Sequence, residues 1–125
     1  AIEANQVIAE LQEKLEQKDF EIAKQYYTIR DYKAAIKANE NFVSSFPGTK
    51  FREESLYTKF IASCEIAVNS VDSKKKERLE ELIQQYNTIV RYYPESLFLE
   101  DLDKRMTKVN EDLDQLNQDS SQQTK

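Results

Sequence analysis

Few side chains in this sequence could do chemistry, and their types exclude most catalytic sites. There is no histidine, and Cys64 is the one cysteine. A triad with a histidine base, a histidine metal site and a thiolate zinc site are therefore excluded. The 23 acidic residues follow helical patterns, and no spacing isolates an acid and a base in a pocket. We predict no catalytic, cofactor-binding or metal-binding residue, and a protein that is not an enzyme.

Cys64 and the basic run KKKER at residues 74–78 each have two interpretations. Cys64 could be a redox switch, but its place beside Phe60 and Ala67 favours a small buried hydrophobe. The basic run could contact anionic head groups, but it is more typical of a solvated connector. The net charge of −5 argues against nucleic acid, because phosphate binding needs a basic face.

Two tyrosine doublets, at residues 26–27 and 92–93, could supply binding contacts. Adjacent residues on a helix point about 100° apart, so both members cannot face one core. Tyr26 and Tyr93 fall on apolar stripes, which leaves Tyr27 and Tyr92 nearer the surface. A surface tyrosine is a favoured interface anchor, but it can equally rest against a neighbouring repeat, and both interpretations stay open.

The elements that position these side chains are helices, since one glycine and two prolines leave few breaks. Apolar spacings of three and four predict helices over about 5–30, 32–46, 51–69 and 74–93, and a fifth that follows Ser96 and runs to about 117. The predicted caps are Thr49, Asp72 or Ser73, and Ser96. Residues 118–125 are predicted to be a disordered tail. The predicted inner face of the first helix is Val7, Ile8, Leu11, Leu15, Ile22, Ala23, Tyr26 and Ile29.

The last predicted helix carries a heptad seam, and its apolar residues are Leu99, Leu102, Met106, Val109, Leu113 and Leu116. Such a seam could form a coiled coil with a partner or cap the last repeat. Fewer than three heptads favour the cap. We predict that this helix is a lid over the helix before it.

The two prolines occupy matching segments, NFVSSFPGTKF at residues 41–51 and TIVRYYPESLF at residues 88–98. Each pattern has an aromatic residue, proline, a short turn, Ser or Thr, and phenylalanine two residues later. Proline stops one helix and the hydroxyl precedes the next. The match predicts two corners with the same backbone, in an all-α array of about five antiparallel helices stacked as helix-turn-helix repeats.

Residues 16–49 resemble a tetratricopeptide repeat, with Ala23, Tyr26, Ala35 and Pro47 at matching spacing. A narrower resemblance rests on FEIAKQYYTIRDYKAAI followed by FPGTKFREESLY, and on the connector NSVDSKKKERLEELIQQYNTIVRYYPES. These segments are similar to the C-terminal half of the BamD family, lipoproteins of outer-membrane β-barrel assembly, in its Bacteroidetes-type members. By this resemblance, residues 1–117 are a fragment of a larger tetratricopeptide-like protein.

The resemblance implies a non-catalytic scaffold at the periplasmic face of the outer membrane. Its lipid anchor would lie outside these residues, and it would hold the POTRA region of the barrel subunit. The family arginine that contacts the barrel subunit matches Arg30. With the two tyrosines nearer the surface and the neighbouring aspartate, the predicted partner-binding residues are Arg30, Tyr27, Asp31 and Tyr92. Other interpretations are a tetratricopeptide adaptor in another periplasmic or cell-envelope system, and an all-helical enzyme or substrate-binding subunit.

Overall fold

A computed structural model describes residues 2–123 as five helices, with no strand among them. The helices are α1 (Ile2–Thr28), α2 (Tyr32–Ser45), α3 (Arg52–Val68), α4 (Asp72–Tyr92) and α5 (Leu99–Gln123). The predicted all-α class of helix hairpins is confirmed. The predicted end of the last helix at 117 is too early, because α5 continues through residues 118–123. The rest of the predicted tail, 124 and 125, lies outside the described residues.

The chain divides within α3 into two compact units, Ala1–Lys59 and Phe60–Lys125. In the first unit, α1 and α2 pack as a hairpin around Phe20, Ala35 and Phe42, which are buried. The Phe20 ring stacks on Phe51, with 4.6 Å between centroids and 11° between planes. Phe42 lies 5.7 Å from the same ring. An aromatic cluster therefore ties the hairpin to the chain that enters α3.

A buried hydrogen bond joins α2 to α3 in the same unit. The Asn39 amide nitrogen donates to the Ala35 carbonyl at 2.7 Å, and the Ser55 hydroxyl donates to the Asn39 side-chain oxygen at 2.7 Å. Asn39 is 1% exposed and Ser55 is fully buried. The buried amide is therefore satisfied, as burial of a polar group requires.

Helix α1 has two apolar faces, and the predicted inner face is wrong. Of the predicted residues only Ala23 is buried and Tyr26 is half-buried, while the others are exposed, Leu11 by 55% and Leu15 by 56%. The helix instead buries Phe20, which lies nine residues beyond Leu11 and so half a turn round the helix at about 100° per residue. With 14 residues against 27, α2 is also too short to cover the whole of α1. Residues Val7, Ile8, Leu11 and Leu15 form what we call the α1 stripe.

In the second unit α5 lies along α4, which confirms the predicted lid. The buried apolar residues of the two helices are Leu79, Leu82, Ile89, Leu102, Met106 and Val109. Leu113 is half-buried rather than buried, while Glu100, Lys104, Glu111 and Asp114 are exposed as predicted. The Tyr86 hydroxyl donates to the Asp103 carboxylate at 2.6 Å, which adds a polar link between the two helices.

The first corner (residues 45–52) and the second corner (residues 92–99) have the same local backbone. The residue before each proline has nearly the same conformation, with φ −130° and ψ 67° at Phe46, and φ −134° and ψ 70° at Tyr93. Thr49 N–H donates to the Phe46 carbonyl at 3.0 Å, and Ser96 N–H donates to the Tyr93 carbonyl at 3.1 Å. The predicted equivalence of the corners is confirmed.

The hydroxyl of each corner bonds inside the turn. The Thr49 hydroxyl accepts from Phe51 N–H at 3.2 Å, and the Ser96 hydroxyl accepts from Phe98 N–H at 3.1 Å. These bonds form just before α3 and α5 begin, so the two hydroxyls order the approach to each helix. Both residues are buried, at 8% and 9% exposure. Their hydroxyls compensate for backbone donors that the turn leaves without a helical partner.

The connector between α3 and α4 differs from its prediction. The residue at the N-cap of α4 is Val71, and it makes no side-chain bond, so neither Asp72 nor Ser73 caps the helix. Asp72 is already inside the helix, where its charge still favours the positive end of the dipole. Ser70 holds the connector instead. Its hydroxyl donates to the Ile66 carbonyl at 2.6 Å and accepts from the guanidinium of Arg78.

Candidate protein-interaction site

The turn between α1 and α2 is a Schellman motif with arginine in the position that glycine usually takes. Asp31 N–H donates to the Tyr26 carbonyl and Arg30 N–H donates to the Tyr27 carbonyl, both at 2.9 Å. This pair of bonds places Arg30 in the left-handed region, with φ 65°. A side chain with a Cβ is disfavoured there by roughly 1 kcal/mol or more. Arg30 is therefore held in a backbone conformation that its own side chain opposes.

The Arg30 side chain is exposed, as predicted. No ion pair between described residues includes it. Its predicted place at the end of α1 needs a correction, because the helix ends at Thr28 and Arg30 lies in the reversal that follows. The chain must turn back at once, since Asp31 already begins the N-terminus of α2.

Asp31 has a structural role that the sequence interpretation did not include. It is the N-cap of α2, and its carboxylate accepts a hydrogen bond from Ala34 N–H at 3.2 Å. A capping side chain stabilises a helix by about 1 kcal/mol, and a negative charge at this end also suits the helix dipole. Asp31 is exposed, so its charge also faces solvent beside Arg30.

Tyr27 packs partly within the turn. It is half-buried, and its ring lies 5.6 Å from that of Tyr32 with the planes tilted by 56°. Tyr32 is thus a fourth member of the turn that sequence reasoning missed. An aromatic residue directly after a capping aspartate could have indicated it, because that position opens the next helix beside the end of the first. We call Tyr27, Arg30, Asp31 and Tyr32 the hairpin patch.

Tyr92, the fourth predicted partner-binding residue, belongs to the second unit. It is the last residue of α4 and is 55% exposed, whereas Tyr93 at the C-cap is half-buried. The predicted division of this doublet into a surface and an inner tyrosine is therefore confirmed.

Cys64 is buried, with 7% exposure, in the second unit. Burial raises the pKa of its thiol to about 11, although the guanidinium of Arg105 acts in the opposite direction. The thiol is therefore protonated at neutral pH, and a protonated thiol is a poor nucleophile. This environment favours the packing interpretation of Cys64 over the redox switch.

A groove lies on the first hairpin. It has a volume of about 190 Å³, and it is lined by Asp19, Ile22, Ala38, Asn41, Phe42 and Ser45. Pockets that bind small molecules usually measure roughly 300–1,000 Å³. Within residues 2–123 there is no group of three or more His, Cys, Asp or Glu placed to hold a metal ion. No described helix is both long and apolar enough to cross a bilayer.

The family model described as outer membrane lipoprotein, YfiO, matches residues 2–119. The chain belongs to this family. The match confirms the resemblance to BamD-type proteins, a family of non-catalytic assembly lipoproteins. A search of curated proteins returns no match.

Membership in the YfiO family implies a role in outer-membrane assembly. It also indicates association with the cell envelope and partners that are proteins.

Proposed function

We propose that the chain is a scaffold without catalytic activity that binds the periplasmic POTRA region of an outer-membrane barrel subunit through the hairpin patch. In this proposal it works at the periplasmic face of the outer membrane. Arg30 is the central contact and Tyr27 is its aromatic neighbour. Family membership supports the assembly role, and the geometry of the turn supports the choice of surface.

The observation that carries the proposal is the left-handed backbone of Arg30. Glycine would form the same Schellman turn without steric cost. The arginine side chain faces solvent, so the fold gains little from keeping it. Strain kept at one exposed residue is a reason to assign that residue a role outside folding.

Arginine also has suitable chemistry for a protein contact. Its planar guanidinium forms two parallel hydrogen bonds to a carboxylate, and it stacks on aromatic rings. The Schellman turn holds its backbone next to Tyr27 through a direct hydrogen bond. A partner that offers an acidic side chain beside an apolar surface would satisfy both residues.

The first experiment replaces Arg30 with glycine and measures two quantities. Arg30→Gly should raise the free energy of unfolding by about 0.5–1 kcal/mol, because it relieves the left-handed strain. The same variant should weaken binding to the POTRA region about tenfold or more in a calorimetric titration. Greater stability together with weaker binding is a result that a merely structural arginine could not give.

Two further variants control for charge. Arg30→Glu should weaken binding more than Arg30→Gly, since it reverses the charge at the contact. Lys37→Glu makes the same reversal at another exposed residue, on α2, and should leave the affinity nearly unchanged. If Arg30→Gly binds as well as the parent, or if Lys37→Glu weakens binding equally, the hairpin patch is not the contact.

Asp31 needs a matched pair of variants because it caps α2. Asp31→Asn removes the charge but keeps a good capping side chain, whereas Asp31→Ala removes both. Weaker binding with Asp31→Asn at unchanged stability would place the carboxylate in the contact. Equal affinity for Asp31→Asn and the parent would leave Asp31 with its capping role alone.

A further inference from the structure

The two corners have the same backbone conformation but expose different side chains. Tyr92 and Leu97 in the second corner correspond to Ser45 and Lys50 in the first. Tyr92 is 55% exposed and Leu97 is 90% exposed. Because the first corner forms the same turn with Ser and Lys at these positions, the turn itself does not require apolar residues there. Tyr92 and Leu97 therefore expose apolar surface that the turn itself does not require.

The charges around the second corner also differ from those of the first. Glu95 stands where the first corner has Gly48, and Leu97 replaces the cation of Lys50. Glu95 and Glu100 are both exposed, and Arg91 is the exposed cation that precedes the turn. Residues 92–99 have one negative charge, Glu95, that residues 45–52 lack, and they lack the two positive charges of Lys50 and Arg52. An apolar surface bordered by carboxylates favours an occupant with basic residues beside an apolar side chain.

We propose that the second corner is a docking surface for a segment of a partner protein that presents a bulky apolar side chain flanked by lysine or arginine. Tyr92 and Leu97 contact the apolar side chain, and Glu95 and Glu100 face the basic residues. Tyrosine and other large apolar residues are typical anchors of such contacts. This surface is separate from the hairpin patch in sequence and does not depend on the proposed POTRA contact.

The absence of tryptophan from the chain allows a selective probe. A synthetic peptide with one tryptophan between pairs of lysines would report binding through its own fluorescence. A second peptide has glutamates in place of the lysines, and a third keeps the lysines but has alanine in place of tryptophan and carries an added dye. We expect the basic tryptophan peptide to bind, and the other two to bind at least tenfold more weakly. Equal binding of the acidic and basic peptides would overturn the proposed charge match.

The corner is tested with Tyr92→Ser and Leu97→Ser together, which leave the net charge unchanged. Because the first corner already has serine in the Tyr92 position, the turn should still form, and circular dichroism would check the fold. We expect at least a tenfold loss of affinity for the basic tryptophan peptide. Glu95→Gln should cause a smaller loss that disappears in high salt, since screening weakens exposed charge pairs.

The control removes two exposed apolar residues elsewhere in the chain. Val7 and Leu11 in the α1 stripe are 54% and 55% exposed. Val7→Ser with Leu11→Ser should leave peptide affinity unchanged. If this control loses affinity as much as the corner variant does, the peptide binds any apolar surface and the proposal fails.

A lipid surface would be a different occupant, and vesicles distinguish it. Anionic vesicles of phosphatidylglycerol and phosphatidylethanolamine should not bind the protein through the second corner, because Glu95 and Glu100 oppose a negative surface. Vesicle binding that the Tyr92→Ser and Leu97→Ser variant abolishes would overturn the assignment to a protein segment.

Discussion

The first and second corners have the same backbone conformation, but the helices that they join bury different side chains at equivalent positions. Asn39 and Ser55 form a buried hydrogen bond in the first unit. The residues at the same repeat positions in the second unit are Tyr86 and Leu102. Leu102 is fully buried, and Tyr86 turns outward to bond Asp103. The corner motif therefore fixes the turn, while the core beneath it can be polar or apolar.

The largest expected effect tests the two cores at one repeat position. Phe42 is 3% exposed and contacts the rings of Phe20 and Phe46, and its counterpart Ile89 is 1% exposed. Phe42→Ala should lower the free energy of unfolding by roughly 3–5 kcal/mol, and Ile89→Ala by roughly 2–4 kcal/mol. Chemical denaturation of each variant would measure both. A loss below about 1 kcal/mol at either position would mean that this core is not packed as described.

A double-mutant cycle on Asn39 and Ser55 tests the polar core. Ser55→Ala should destabilise the protein by about 1–3 kcal/mol, because it removes the donor to the buried Asn39 oxygen. Asn39→Ala with Ser55→Ala should cost clearly less than the sum of the single changes, as expected for residues in contact. Thermal unfolding would supply the four values. Strict additivity would show that the bond contributes nothing to stability.

Part of the difference between the two units could be predicted from the sequence. The prolines and apolar spacings indicated the helices, the two corners and the packing of Leu102, Met106 and Val109. The Asn39–Ser55 bond was missed because spacing identifies apolar faces and does not pair polar residues between helices. Asn39 could have indicated a polar contact, because it lies four positions after Ala35, where a tetratricopeptide repeat usually has an aromatic residue.

The inner face of α1 and the backbone of Arg30 were harder to predict. The helix has apolar residues on two sides, and periodicity cannot tell which side meets the rest of the unit. The left-handed conformation at residue 30 was not predicted because arginine, and not glycine, occupies this position. Among the predicted site residues, Arg30 and Tyr92 were correctly placed at the surface, but the capping bond of Asp31 depends on where α2 begins.

The turn hydroxyls should have equal effects if the corners are equivalent. Thr49→Ala and Ser96→Ala each remove one acceptor for a backbone N–H. Each should lower the free energy of unfolding by about 1 kcal/mol. The exchanges Thr49→Ser and Ser96→Thr keep the hydroxyl and should cost about 0.5 kcal/mol or less. Urea titrations that give markedly different losses for the two alanine variants would break the equivalence.

The smallest expected effect is a pH dependence of the second unit in alkaline solution. The hydrogen bond to Asp103 raises the pKa of Tyr86 above its ordinary value. The bond therefore stabilises the fold below about pH 10, the pKa of an unperturbed tyrosine, and is lost as pH rises through the higher value in the folded state. The melting temperature of the parent should exceed that of Tyr86→Phe slightly at pH 8. A difference that persists unchanged after Tyr86 has ionised in the folded protein, as ultraviolet absorbance would report, would contradict this assignment.

The first turn of α4 is expected to unfold locally more readily than the rest of the helix. Val71 offers no capping bond, and residues 74–76 are lysines close to the positive end of the helix dipole. Local unfolding of the first turn should therefore need little free energy, and its amide protons should exchange without unfolding of the rest. Lysine is also where trypsin cuts. Limited digestion should nick the native chain here earlier than within the buried part of α4, and the rate would report the opening of a single helical turn.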